Sequence, residues 1–382
     1  MKRICCISLV LLLLLCLLPP GAAAVELELD GKSALLMDVS TGTVLYEKNS
    51  HEALAPASVT KVMTMLLIME AIDSGKLGWQ DTVTASDAAA AKGGSQIYLK
   101  VGETMTVEEM VKSIAVSSAN DCACAMAEHI AGSEAAFVQQ MNARAKELGM
   151  ADTNFVNCTG LDDDPEANNH LTSAHDIAIM SRQLLKYHPD IKKYTTIWMD
   201  TVRNGAFGLA NTNKLVRFYN GATGLKTGFT STAGYCLSAS AQREGMELVA
   251  VVMGCESSQS RFAACKSLLD YGFANFSLVD PQLPENAVVP VKLGTAETVT
   301  AVPAGEGALL IDKAQRNQVA TEVSLEETVT APISKGQRLG TMTVKAGEQI
   351  LAQIPLVAQE AVPRLSWGDI FRMLLRQFFM AK

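Results

Sequence analysis

Three short stretches of the chain hold side chains that could carry out nucleophilic chemistry together. Ser58 and Lys61 stand three residues apart in APASVTK, at the head of the apolar run VMTMLLIMEAI. Ser118 and Asn120 flank Ala119 between two apolar stretches, and Lys226, Thr227 and Gly228 lie within GATGLKTGFTSTAGY. A serine hydroxyl is a weak nucleophile until a base takes its proton. A lysine three residues further along a helix projects from the same face, and it can be that base when burial or a second cation holds it neutral. The N–H groups of a first helical turn lack intrahelical partners and favour negative charge, so an oxyanion near Ser58 is stabilised. Taken alone, an S-x-x-K reads as a helix cap beside a solvated lysine. The other two stretches give it a chemical meaning.

The elements that would position these groups follow from periodicity and turn signals. ALLMDVSTGTVLYEKNS (34–50) reads as two strands around Ser40-Thr41-Gly42. Residues 58–73 form a helix closed by Ser74-Gly75, with Ser58 in its first turn. Residues 106–132 read as two helices meeting near Ser117-Ser118, the first opened by a Thr106/Glu109 capping box. A further helix covers 133–149, and Ser173 with Asp176 caps another. Residues 234–254 are two strands joined at Arg243-Glu244-Gly245, and 260–276 returns to helix. Lys226-Thr227-Gly228 is placed at the opening of a strand. The order strand, helices, strands, helix predicts an α+β domain: an antiparallel sheet backed by a terminal helix, with a helical lobe inserted.

Length and composition frame this domain. With 382 residues, 48% of them hydrophobic, the chain can build one large core and a smaller second one. Lys2 and Arg3, the apolar ICCISLVLLLLLCLL and the small-residue PPGAAA read as a signal peptide over 1–24, so the protein is expected to be exported. Its removal takes away two cations and no anion from a formal charge of −8, and nothing basic enough for nucleic acid remains. Six cysteines follow it: Cys122, Cys124, Cys158, Cys236, Cys255 and Cys265. They are spread too widely for a disulfide scaffold and read mainly as small buried apolar residues, with one disulfide left open. SLVDPQLPEN (277–286) reads as a linker after a 25–276 domain, and short alternating segments over 287–362 as a small all-β domain. At the C-terminus, 363–382 reads as an amphipathic helix with Trp367, Ile370, Phe371, Leu374, Leu375 and Phe378 on one face. Such a helix suits the plane of a membrane interface; the plainer alternative is packing on its own protein.

S-x-x-K at a helix start, S-x-N between helices and K-T-G on a strand, in that order, are the active-site set of penicillin-recognising serine enzymes. The chain resembles the low-molecular-mass penicillin-binding proteins of the D-alanyl-D-alanine carboxypeptidase family over roughly residues 30 to 276. GGSQIYLKVGETMTVEEMVKSIAVSSANDCACAMAEHIAG, NTNKL and GLKTGFTSTAGYCLSASA extend the likeness, as does the β module with its tail. The resemblance implies a β-lactamase/transpeptidase-like domain that trims terminal D-alanine from peptidoglycan stem pentapeptides and is inhibited by β-lactams. It implies no cofactor or metal, and a place at the outer face of the cytoplasmic membrane. By the same resemblance Ser58 attacks, Lys61 accepts its proton, and Ser118 relays a proton to the leaving nitrogen. Asn120 binds the substrate amide and steadies Lys61. Lys226 supplies positive field and, with Thr227, holds the terminal carboxylate. Gly228 leaves room for substrate, and the Ser58 and Phe229 N–H groups form the oxyanion hole.

The chain departs from the family pattern at three places. Ala119 stands where many relatives have glycine, Phe229 where many have histidine, and Thr212 where some have arginine. Carboxylate binding is therefore expected to rest on Lys226, with Arg217 as a second cation. Two other functions fit the same motifs. A serine β-lactamase would need a deacylating base such as Glu166, and a penicillin-binding sensor or scaffold would need no turnover. DDDPEANNH (162–170), with His175 beyond it, gathers acids and His170, but Asp-, Pro- and Asn-rich runs of this kind form solvated loops. No G-x-S-x-G elbow accompanies either histidine, which disfavours a Ser-His-Asp triad.

Overall fold

Strand β1 (Ser33–Asp38), β2 (Val44–Lys48), β3 (Ala222–Thr230), β4 (Gly234–Arg243) and β5 (Met246–Cys255) make one antiparallel sheet in the order β2-β1-β5-β4-β3. The structure is a computed structural model that describes residues 27–380 except 164–165, 285–286 and 306, with the side chains of 376–380 also outside the description. The expected signal peptide lies outside the described residues. Within the sheet, Glu244 and Gly245 take φ of 49° and 82°, the left-handed pair that matches a tight hairpin to strand twist. Strand β5 is apolar almost throughout, because both of its faces are covered.

Helix α1 (Lys61–Asp73) runs through the helical lobe on one face of the sheet, with α2 (Val107–Ser117), α3 (Asn120–Ala131), α4 (Glu134–Glu147) and α5 (Ala174–Tyr187) around it. Every residue of α1 from Lys61 to Met69 is buried, which is why its apolar residues go all round rather than forming a stripe. Helix α6 (Ser258–Asn275) covers the other face through Leu268, Leu269 and Phe273. The Thr106/Glu109 capping box is present in both directions at the start of α2. At α5 only half of it forms. Ser173 accepts the Asp176 N–H, but the Asp176 carboxylate turns to Thr153 and Asp152.

Past the sheet, β6 (Phe276–Val279) pairs with β9 (Leu309–Asp312), so the expected linker begins with a strand. Strands β7 (Val288–Lys292), β8 (Thr298–Pro303), β10 (Val319–Leu325), β11 (Val329–Thr330), β12 (Arg338–Ala346) and β13 (Gln349–Ala358) form a second sheet in the order β10-β12-β13-β8-β7-β11. It has its own core of Val289, Leu339, Met342, Val344 and Leu356. Helix α7 (Trp367–Met380) follows, with Trp367 88%, Phe371 64% and Leu374 59% exposed. The described part of its apolar face is thus exposed rather than packed on other described residues. No helix among the described residues is long and apolar enough to cross a membrane.

Candidate active site

Ser58 sits in a 3-10 turn, Ala57–Thr60, immediately before α1. The sequence reading placed it in the first α-turn; the break comes from Pro56 and from Ala57, which takes the left-handed φ of 49°. Such backbone costs energy and collects at functional sites. Lys61, the first residue of α1, is fully buried. Its Nζ lies 2.9 Å from Ser58 Oγ, close enough for direct proton transfer. It also donates to the Thr159 carbonyl at 2.8 Å. Burial pushes the Lys61 amine down from its ordinary 10.5 to about 7, against small opposing effects of Cys158 and Asp121.

Ser118 and Asn120 stand at the junction of α2 and α3. Ser118 ends α2 with φ of 62°, and it is nearly fully buried. Asn120 opens α3, its N–H donating to Ser95 O (2.7 Å) and its Nδ2 to Gly93 O (2.8 Å). Its Oδ1 is buried with no hydrogen-bond partner among the described residues, an acceptor available to a ligand N–H. Asp121, which the motif reading passed over, takes the N–H groups of Ile97 (3.1 Å) and Leu99 (3.0 Å) and so fixes the loop over Asn120.

Strand β3 forms the opposite wall. K-T-G lies well inside this strand, not at its opening, because pairing with β4 already begins at Ala222. Lys226 is fully buried and donates to Thr227 O at 3.0 Å. Burial lowers its proton affinity first, then the charges of Lys61 and Arg261. The two lysines therefore share one dry crevice, where the Lys61 charge disfavours protonation of Lys226. Thr227 Oγ1 donates to Thr212 Oγ1 at 2.7 Å, at the position where some relatives have arginine.

Gly228 shows why the third member of K-T-G has no side chain. A Cβ there would lie 2.7 Å from Pro56 O and 3.1 Å from the Ser58 nitrogen. Gly228→Ala should push β3 off the serine turn and slow acylation roughly a hundredfold, since displacements of about 1 Å cost that much. Stopped-flow labelling with a fluorescent penicillin measures it; an unchanged rate would mean the wall is not set by this contact.

Phe229 is 53% exposed and stacks on Tyr235, ring centres 4.2 Å apart. Arg217 is exposed at the end of the turn Leu215–Phe218, its guanidinium 5.6 Å from the Trp198 ring centre and 5.7 Å from that of Phe218. A different cation reaches the strand: buried Arg261, in the first turn of α6, donates to Gly228 O at 2.8 Å and has a buried Nε with no hydrogen-bond partner among the described residues. Its signal in the sequence was a lone arginine at the start of an apolar helix. Glu166 is exposed beside the turn Ala167–Asn169, and Asp164 and Pro165 lie outside the described residues. All six described cysteines are free and buried, so the disulfide left open is not formed. Among the described residues no group of three or more His, Cys, Asp or Glu side chains could hold a metal.

Comparison with known proteins accords with this geometry. The sequence family described as D-alanyl-D-alanine carboxypeptidase matches residues 21–257, and the C-terminal domain of penicillin-binding protein 5 matches 282–364. The chain is similar to the D-alanyl-D-alanine carboxypeptidase DacF of Bacillus subtilis, 45% identical over 347 residues, 89% of this chain and 88% of the relative. It is 33% identical to DacC of Escherichia coli over 91% of this chain and 88% of that one. Among solved structures, penicillin-binding protein 5 of Haemophilus influenzae superposes with a TM-score of 0.75 at 29% identity, over 89% of this chain and 99% of that one. Penicillin-binding protein D2 of Listeria monocytogenes, solved with ampicillin bound, gives 0.59 at 31%, over 65% and 99%.

Proposed function

Because this chain belongs to the D-alanyl-D-alanine carboxypeptidase family and is a carboxypeptidase of the penicillin-binding type, we propose that Ser58, Lys61, Ser118, Asn120 and Lys226 carry its reaction on peptidoglycan stem pentapeptides. The observation that carries this reading is the buried Lys61 amine 2.9 Å from the Ser58 hydroxyl. The terminal D-alanine carboxylate enters beside Lys226 and Thr227, while Arg261 holds their strand from behind through the Gly228 carbonyl. An anion at Lys226 raises that lysine's proton affinity and puts the cleft's positive charge there. Lys61 is then the neutral base. It takes the Ser58 proton as Oγ attacks the D-Ala–D-Ala carbonyl. The Ser58 and Phe229 N–H groups hold the oxyanion, each donor contributing about 10²–10³ in rate. Asn120 Oδ1 accepts the peptide N–H, Ser118 passes a proton to the departing D-alanine nitrogen, and water releases the acyl group.

A β-lactam presents the same carbonyl beside the same carboxylate, so it acylates Ser58 and leaves slowly. Incubation with a D-Ala-D-Ala peptide and with penicillin tests the reading. Released D-alanine together with a long-lived adduct supports it, rapid penicillin turnover favours a β-lactamase, and an adduct without peptide cleavage favours a sensor.

The domain limits proposed are a catalytic unit to residue 276, a β module that runs to 365, past the 362 expected from the sequence, and a terminal helix that holds the enzyme at the outer membrane face. Gly294 bridges Arg364 and Leu365 donates to Leu293 O, so the chain through 365 belongs with the module. Removing residues 366–382 should free the protein from lipid vesicles while peptide cleavage stays at the intact protein's level. Co-sedimentation reads this, and binding that survives the deletion would rule out α7 as the anchor.

A further inference from the structure

The ring of His170 joins the two pieces of chain that hold Ser58 and Lys61. It is 3% exposed, its edge packed on Phe155 with ring centres 5.7 Å apart. Its Nε2 lies 2.8 Å from Thr60 Oγ1, and that hydroxyl already donates its hydrogen to Ala57 O at 2.8 Å. The hydroxyl can therefore only accept from the ring, which places the imidazole proton on Nε2. Nδ1 is then an acceptor, and it takes the Val156 N–H at 3.0 Å, with the Asn157 N–H at 3.4 Å. One neutral tautomer satisfies both nitrogens. A protonated ring would lose the Nδ1 acceptor and would face the amine of Lys61. Burial and Lys61 accordingly push the imidazole down to about 4.

Each end of this linkage leads directly to a reacting group. On one side, Thr60 and Ala57 belong to the 3-10 turn that carries Ser58. On the other, residues 156–161 include Thr159, whose carbonyl takes the Lys61 amine. The two segments touch without a spacer. Gly160, at φ 80°, would place a Cβ 1.8 Å from Ala57 O and 2.7 Å from Thr60 Oγ1. Contact alone would let them slide; the imidazole supplies directional bonds on both sides.

We propose that His170 is a positioning residue for acylation: its neutral ring clamps the turn bearing Ser58 to the segment whose Thr159 carbonyl aims Lys61, and so sets the approach of base to nucleophile. The proposal rests on Ser58 and Lys61 being the acylating pair. His170 touches no substrate in this account and acts through Thr60 and Thr159.

The test measures the second-order rate of acylation by benzylpenicillin against pH in five proteins: wild type, His170→Phe, His170→Gln, Thr60→Val and the double variant Thr60→Val/His170→Phe. His170→Phe keeps the ring's bulk and should acylate roughly ten- to a hundredfold more slowly, as expected for lost hydrogen bonds and a shifted base. Thr60→Val breaks the same linkage from its other end. The double variant should therefore be no slower than His170→Phe alone, because one connection is lost only once. His170→Gln, which can donate from Nε2 and accept at Oε1, should recover most of the rate. The acidic limb of the profile should move to higher pH in His170→Phe, since a loosened Thr159 segment lets water reach Lys61 and favours its charged form. Acylation at the wild-type rate by His170→Phe, losses that multiply in the double variant, or an unmoved limb would each overturn the proposal. Should His170→Phe fail to fold, Thr60→Val decides it, and wild-type acylation by that variant would overturn the clamp. A wild-type protein that takes no label at Ser58 instead overturns the assignment of the acylating pair, which separates the two failures.

Discussion

Ser58→Ala is expected to lose covalent penicillin labelling altogether and to cut D-alanine release by roughly 10⁴-fold or more, since the acyl-enzyme route loses its nucleophile. The expectation follows from the placement of a single atom. Ser58 Oγ is the hydroxyl within 2.9 Å of the buried amine. Removing one oxygen from a half-buried side chain leaves the fold intact, so thermal stability should stay close to wild type. Gel labelling with a fluorescent penicillin, alongside a D-alanine assay, reads both losses. Labelling that persists in the variant would place the nucleophile elsewhere.

Lys61→Met should act in opposite directions on activity and stability. Without the base, acylation should fall roughly 10³-fold or more. Stability should rise, because a fully buried amine is replaced by an apolar chain of similar length. The pH dependence gives this a sign. The folded state's amine titrates near 7 while the unfolded chain's titrates near 10.5. Between those values the unfolded state binds more protons, so stability rises with pH across the window and is lowest, as far as Lys61 is concerned, near and below pH 7. The difference in melting temperature between variant and wild type should therefore be largest near neutrality and shrink towards pH 10. In wild type, acylation should climb as pH passes through about 7. A variant that melts below wild type at pH 7, or that acylates normally, would remove Lys61 from the role of buried base.

Much of this site was legible in the sequence because its parts are local. Ser58 and Lys61 are neighbours on one turn; Ser118 and Asn120 mark a helix junction that the Thr106/Glu109 box and the apolar periodicity already delimit. Lys226 and Gly228 fall on a strand whose partner, β4, is announced by alternation. What could not be read depends on long-range approach. Thr159 offers only a backbone carbonyl, which has no sequence signature, yet it is the second partner of Lys61. Arg261 belongs to α6 and reaches Gly228 from the far side of the sheet, so only tertiary packing reveals it. Arg217, the second cation expected from the sequence, sits on the short turn Leu215–Phe218 with its guanidinium over Trp198 and Phe218, an orientation no motif encodes. His170 sits in a run of acids and asparagines that looks wholly solvated, and its burial comes from the Phe155 and Thr60 surfaces it meets across the lobe.

The departures from the family pattern also acquire physical content. Thr212 meets Thr227 by a hydroxyl pair where a guanidinium could have met a carboxylate. Phe229 keeps its backbone donor and turns its ring onto Tyr235, whose other neighbour is the Arg261 guanidinium at 5.3 Å. Lys226 and Thr227 thus remain the proposed carboxylate contacts, on a strand that Arg261 braces from behind through the Gly228 carbonyl.

Locating the acyl group directly is the strictest test of the account. Mature protein treated with benzylpenicillin, quenched, digested and mapped by mass spectrometry should carry one penicilloyl group, on the peptide containing Ser58. Prior incubation with a D-Ala-D-Ala stem peptide should slow its appearance. An adduct on any other residue, or a Ser58 peptide that stays unmodified while penicillin is consumed, would contradict it.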